Sequence, residues 1–105
     1  MKNEILEITE KISGGICRLV AKGRIDSNSA ETLLFFLEKA VNEGQKAIIL
    51  NMLQVEYLSS IGIRVILKTY KQLMETGGTF KIEHPSEIVK NVLGMTALKE
   101  MLVTP

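Results

Sequence analysis

The chain predicts an α/β fold: a small mixed sheet, opened by a hairpin and continued through strand–helix units. Three observations carry this. Two runs rich in Ile, Leu and Val, residues 4–12 and 16–22, meet at Ser13-Gly14-Gly15, and paired glycines between β-type runs supply the positive φ of a tight hairpin turn. Two amphipathic helical stripes follow, and short apolar runs separate them. Strands joined through helices lie parallel by the right-handed crossover rule, so the hairpin and the crossovers together give a mixed sheet with helices on one side or both.

The elements follow in order as β-β-α-β-α-β-α. After Gly23-Arg24-Ile25-Asp26 the cluster Asp26, Ser27, Asn28, Ser29 offers helix caps, and Asn28 with Glu31 approximates a capping box. The first helix carries Ala30, Leu33, Leu34, Leu37, Ala40 and Val41 on one face and stops at Gly44. Ala47-Ile48-Ile49-Leu50 reads as a central strand buried on both faces, and Gln54, Val55 and Glu56 as a loop. From Ile63 a second stripe of Ile66, Leu67, Tyr70, Leu73 and Met74 runs to Gly77-Gly78. Residues 79–83 alternate as a strand. Pro85 suits a first helical position, with Ile88, Val89, Val92 and Leu93 as the buried face and Gly94 as the stop. Leu98 to Val103 fits one helical turn and a short strand.

The length of 105 residues suits one domain, residues 1–105. A net charge of +1 gives no basic footprint for nucleic acid or an anionic membrane, and the lack of Trp argues against a base-stacking platform. Cys17, the one cysteine, lies in an apolar-alternating stretch and reads as a buried thiol; no disulfide framework follows from it. Met1-Lys2-Asn3-Glu4 has no apolar signal segment behind it. Runs such as 47–50 fall far short of the ~20 apolar residues of a membrane span. No membrane insertion and a cytoplasmic location are therefore expected.

Catalytic readings find no support. A nucleophilic serine needs a base, and His84, the one histidine, stands before Pro85 at a strand end. No G-x-S-x-G elbow, Walker loop or G-x-G-x-x-G is present, and the acidic residues are scattered rather than clustered for a metal. The expectation is a non-enzyme without cofactor or metal. The informative stretch is Leu58-Ser59-Ser60-Ile61-Gly62, two hydroxyls at the start of a helix. A serine there can cap the free N–H groups, or carry a phosphate that the helix dipole favours. Arg64, Lys68 and Lys71 share the face opposite the apolar stripe; that is a solvated surface or a recognition surface for an acidic partner. Phe35 lies off its helix's stripe and is expected to be exposed.

Residues 55–67, Val-Glu-Tyr-Leu-Ser-Ser-Ile-Gly-Ile-Arg-Val-Ile-Leu, resemble the signature loop and helix of the sulfate transporter and anti-sigma factor antagonist domain, STAS. Gly23-Arg24-Ile25-Asp26 with Ala30, Ile48-Ile49-Leu50-Asn51, and Val92-Leu93 followed by Thr96-Ala97-Leu98 resemble further parts of it, in order along nearly the whole chain. The resemblance implies helices packed mainly on one face of the sheet. It also implies an anti-sigma factor antagonist, which binds an anti-sigma factor serine protein kinase until that kinase phosphorylates it, and which a PP2C-type phosphatase restores. Many members have Asp-Ser-Ser/Thr-Gly in the loop. Here Ser59 stands at the aspartate position, Ser60 at the first hydroxyl position and Ile61 at the second, so Ser60 is the implied acceptor, with Ser59 the alternative. Asn51 and Ala97 replace a common acidic residue and a common glycine. The implied partner surface comprises Asp26, Ser27, Ser59, Ser60, Ile61, Gly62, Arg64 and Lys68, with Gly62 leaving room for a partner or kinase loop. Two other readings stay open: a constitutive subunit of a larger complex, such as a lipid-transport ATPase, and a nucleotide sensor.

Overall fold

The computed structural model describes residues 5–95 and 98–104. Strands β1 (Leu6–Ser13) and β2 (Ile16–Ile25) form the expected hairpin. Its turn residues, Gly14 (φ 59°) and Gly15 (φ 78°), are both left-handed, as a two-residue type I′ turn requires. Helix α1 (Ala30–Asn42) leads to β3 (Ala47–Leu58), and α2 (Ser60–Glu75) leads to β4 (Thr79–Glu83). Helices α3 (Glu87–Gly94) and α4 (Leu98–Leu102) complete the described chain. The sheet order is β1-β2-β3-β4. The first pair is antiparallel and the other two are parallel, so the mixed sheet is as predicted.

Helices cover one face of that sheet. The rows Cys17–Ile48–Phe80 and Leu19–Leu50–Ile82 run across β2, β3 and β4 and are fully buried, together with Leu33, Leu37, Ile66, Leu73, Val89 and Leu93 from the helices. Each such side chain contributes about 1.5–3 kcal/mol relative to exposure. The rows between them, Arg18–Ile49–Lys81 and Val20–Asn51–Glu83, point to the other face and stay partly or fully exposed. This corrects the reading of Ala47–Leu50 as buried on both faces: Ile48 and Leu50 are buried, while Ala47 and Ile49 are half-covered. On this second face Arg18 reaches Glu83 through two hydrogen bonds, of 2.8 and 3.3 Å, and Asn51 donates to the same carboxylate at 3.2 Å. The Arg18 guanidinium holds the Glu83 carboxyl below the usual carboxylate range.

β3 is much longer than the apolar run suggested, and residues 54–56 belong to it rather than to a loop. The register against β2 slips twice, between Val20 and Lys22 and between Gly23 and Arg24, each time leaving one extra residue on β3. Its buried positions are then Met52, Val55 and Leu58, three apart. These bulges erase the period of two by which a strand is read.

Two helix starts also differ from expectation. α1 has no capping box: its cap is Ser29, which makes no side-chain cap bond, and Asn28 and Ser29 instead donate their N–H groups to Asp26. Pro85 precedes α3 rather than opening it. Ser86 is the cap there, accepting from the Val89 N–H at 3.3 Å while its hydroxyl donates to the Val55 carbonyl at 2.7 Å. Near the C-terminus, the short helix and strand are present as α4 and a single parallel bridge from Val103 to Ile82. Met1–Glu4, and the Thr96-Ala97 part of the STAS resemblance with its Ala97 departure, lie outside the described residues.

Candidate functional site

The site forms where β2 and β3 end side by side. Ile25 pairs with Leu58, and the Ser59 N–H donates to the Ile25 carbonyl at 2.8 Å. One backbone bond therefore sets the start of α2 beside the turn that begins at Asp26. The Asp26 carboxylate organises that turn, accepting from the N–H groups of Asn28 and Ser29 at 2.9 Å and from the Ser29 hydroxyl at 3.1 Å. The backbone N–H of Ser29 is the largest cause holding the Asp26 carboxyl below its ordinary range. The Ser29 hydroxyl shares its one proton between that carboxylate and the Arg24 carbonyl. Asp26 is thus a charged, half-buried anchor of the turn, and Ser27 is exposed at its tip.

The two serines divide the work of the helix start. Ser59 is the cap: it has extended backbone, and its Oγ accepts from the Gly62 N–H at 3.2 Å. Ser60 is the first helical residue and is exposed, and its hydroxyl has no hydrogen-bond partner among the described residues. Its own N–H and that of Ile61 also find no acceptor there, as the first turn of a helix leaves them. The first turn of this 16-residue helix contains no acidic side chain, so no charge within that turn offsets its positive dipole end.

Gly62 has a different role from the one expected. It is buried, and a Cβ there would stand 2.5 Å from Ile25 Cγ2 and 2.9 Å from Leu58 Cδ1. The absent side chain lets the helix start settle onto the ends of β2 and β3, and the space is filled from within rather than left for a partner. Ile61, beside it, is 40% exposed. Arg64 is exposed one turn beyond Ser60 on the same side of α2. Lys68 lies a turn further and pairs with Glu38 of α1 at 3.7 Å; both are well exposed, so the pair adds little stability.

One feature at the site was not anticipated. Arg24 and Tyr57 are register partners, and the guanidinium lies 4.6 Å from the Tyr57 ring centroid, within cation–π range. Both are exposed at the end of the sheet beside the serines. Their 33-residue separation in the chain hid the pairing, which only the bulged register brings about. Among the described residues no cluster of three or more His, Cys, Asp or Glu could hold a metal, and no helix is long and apolar enough to cross a membrane.

A family model, STAS domain, matches residues 7–104. This chain belongs to the STAS domain family. It is 33% identical over 69 residues to BtrV of Bordetella bronchiseptica, proposed by its name as an anti-sigma factor antagonist; the match covers 66% of this chain and 59% of that protein. It is 31% identical over 80 residues to the anti-sigma-B factor antagonist of Bacillus subtilis, covering 76% of this STAS domain and 72% of the relative. An anti-sigma factor antagonist structure from Mycobacterium paratuberculosis superposes with a TM-score of 0.86 at 20% identity, over 95% of this chain and 86% of that one. The Bacillus cell fate determinant SpoIIAA in its phosphorylated form superposes with a TM-score of 0.74 at 17% identity, over 94% and 92%. At these identities the two structures speak for the fold: a small single α/β domain with a four-stranded mixed sheet.

Proposed function

We propose that this STAS domain is an anti-sigma factor antagonist, a cytoplasmic binding module whose partner is an anti-sigma factor serine protein kinase. Unmodified, it engages the kinase through the turn at Asp26-Ser27 and the start of α2 at Ser59, Ser60, Ile61 and Arg64. Phosphorylation of Ser60 releases the complex, and a PP2C-type phosphatase resets it. The observation that carries this reading is the division between the serines. Ser59 is held by the cap, whereas the Ser60 hydroxyl is exposed and has no partner among the described residues. The two curated relatives bear antagonist names, and a structural neighbour exists in phosphorylated form.

The chemistry follows from position. A phosphate on Ser60 adds roughly −1.5 to −2 charge and three acceptor oxygens. The free N–H groups of the first turn and Arg64 one turn on stabilise it in place, so the fold is retained. In a docked interface the same charge must be desolvated, which costs several kcal/mol and breaks the complex. The test uses the anti-sigma factor serine kinase of the host organism. Incubation with ATP is expected to place phosphate on Ser60 by peptide mass analysis. Ser60→Asp is expected to bind the kinase at least about tenfold more weakly than the parent, with Ser60→Ala binding normally but resisting phosphorylation. Equal binding by Ser60→Asp and the parent would sink the proposal.

A further inference from the structure

The two edges of the sheet are treated differently. The β4 edge is only five residues long and is covered by the chain itself: Val103 bridges to Ile82, and the Thr104 N–H donates to the Ile82 carbonyl at 3.0 Å. The β1 edge is eight residues long, and no described residue pairs with its outer side. A long uncovered edge is a template for another strand.

Hydrogen-bond phase shows which residues face outward. The Arg24 N–H donates to the Ile5 carbonyl at 2.8 Å, and Ser13 pairs with Ile16 across the two-residue turn. Bonded and non-bonded pairs alternate along an antiparallel ladder. Odd-numbered residues of β1 are therefore bonded to β2, and Leu6, Ile8, Glu10 and Ile12 direct their N–H and C=O groups outward.

We infer that β1 pairs antiparallel with β1 of a second copy about a two-fold axis at Thr9, joining two four-stranded sheets into one. In this register Leu6 bonds with Ile12 of the mate and Ile8 with Glu10, so all four outward residues of each strand are satisfied. Only that register sets opposite charges against each other across the two strands. On the helix-free face Glu7 stands opposite Lys11, twice by symmetry, in non-bonded pairs where side chains approach most closely. Both are exposed and lack an ion-pair partner among the described residues. A two-residue shift in one direction sets Glu10 against itself; in the other it sets Glu7 against Thr9 and Lys11 against Ile5.

The helix-covered face agrees. A cleft of about 300 Å³ beside β1 is lined by Leu6, Ile8, Thr32 and Phe36 among others. Ile12, 49% exposed in the single chain, lies opposite Leu6 of the mate and so fills that cleft. α1 lies over β1 and β2. The two copies of α1 therefore lie on the same face of the joined sheet, on either side of the two-fold axis.

Sedimentation of the full chain up to millimolar concentration tests this. The parent is expected to dimerise, with amide exchange at Leu6, Ile8, Glu10 and Ile12 slowing as the dimer fills. Glu7→Lys and Lys11→Glu, each placing like charges opposite, should weaken it about tenfold. The double swap should restore it, and a mixture of the two single variants should form the heterodimer, since its cross-strand pairs are again opposite in sign. A parent that stays monomeric throughout overturns the inference. So does a dimer indifferent to both swaps. Thermal melts of each variant identify any loss of fold; Glu7 and Lys11 stand opposite Lys22 and Arg18 of β2, so only small shifts are expected there, downward for Glu7→Lys and upward for Lys11→Glu.

Discussion

Replacing Ser59 with alanine removes the acceptor of the Gly62 N–H and is expected to cost about 1 kcal/mol, measured by denaturant unfolding. Ser60→Ala removes an exposed hydroxyl with no partner among the described residues and should change stability by less than about 0.5 kcal/mol. Comparable losses from both would contradict the division of roles. Gly62→Ala drives a methyl into Ile25 and Leu58; overpacking outweighs the gain in helix propensity, for a net loss of roughly 1–2 kcal/mol. Cys17 has no exposed surface, and burial, with the Glu10 carboxylate beside it, pushes its thiol up to about 11. It should resist thiol reagents at pH 8 in the native protein and react at once in denaturant. The serine cap and the buried thiol were legible in the sequence because each depends on near neighbours. The Arg24–Tyr57 stack was not, because it depends on a cross-strand register.

Among the elements, the helices were readable because their buried faces recur at three- and four-residue spacing, as in Leu33 and Leu37 or Ile66 and Leu73. β3 was not, since its extra residues replace the strand period with steps of three. The start of α1 was misread for a related reason: the local turn takes the Asp26 carboxylate for itself and leaves no side-chain cap. Ser86 links two elements, capping α3 and bonding to β3. Ser86→Ala leaves the Val89 N–H and the Val55 carbonyl without it, and a loss of about 1–2 kcal/mol is expected in equilibrium unfolding. The Arg18–Glu83–Asn51 group ties β2, β3 and β4 together on the helix-free face. Since the folded Glu83 carboxyl ionises more readily than in the unfolded chain, its contribution is present above the ordinary carboxylate range and is lost as pH falls through the lowered value. Glu83→Gln should therefore cost roughly 1 kcal/mol near neutrality and flatten the acid limb of a stability–pH curve. An unchanged limb would assign that limb to other carboxylates.

For the whole molecule, function and packing occupy different sides. Helices bury one face, the ends of β2 and β3 present the serines, and the β1 edge lies across the sheet from β4. If β1 joins a second copy, the sheet ends that carry the serines of both copies lie away from the shared edge. The two bulges of β3 have a further consequence, one of parity. Between the Val20–Asn51 and Ile25–Leu58 pairs β3 carries two more residues than β2. One extra residue alone would turn Leu58 outward and Tyr57 into the core; the second reverses that. Deleting either Leu53 or Glu56 should thus unseat α2 by inverting the strand beneath it, whereas deleting both preserves the alternation and shortens the strand. The position of Ser60 relative to Asp26 is set by an even count of inserted residues, so this strand can lose residues near the site only in pairs.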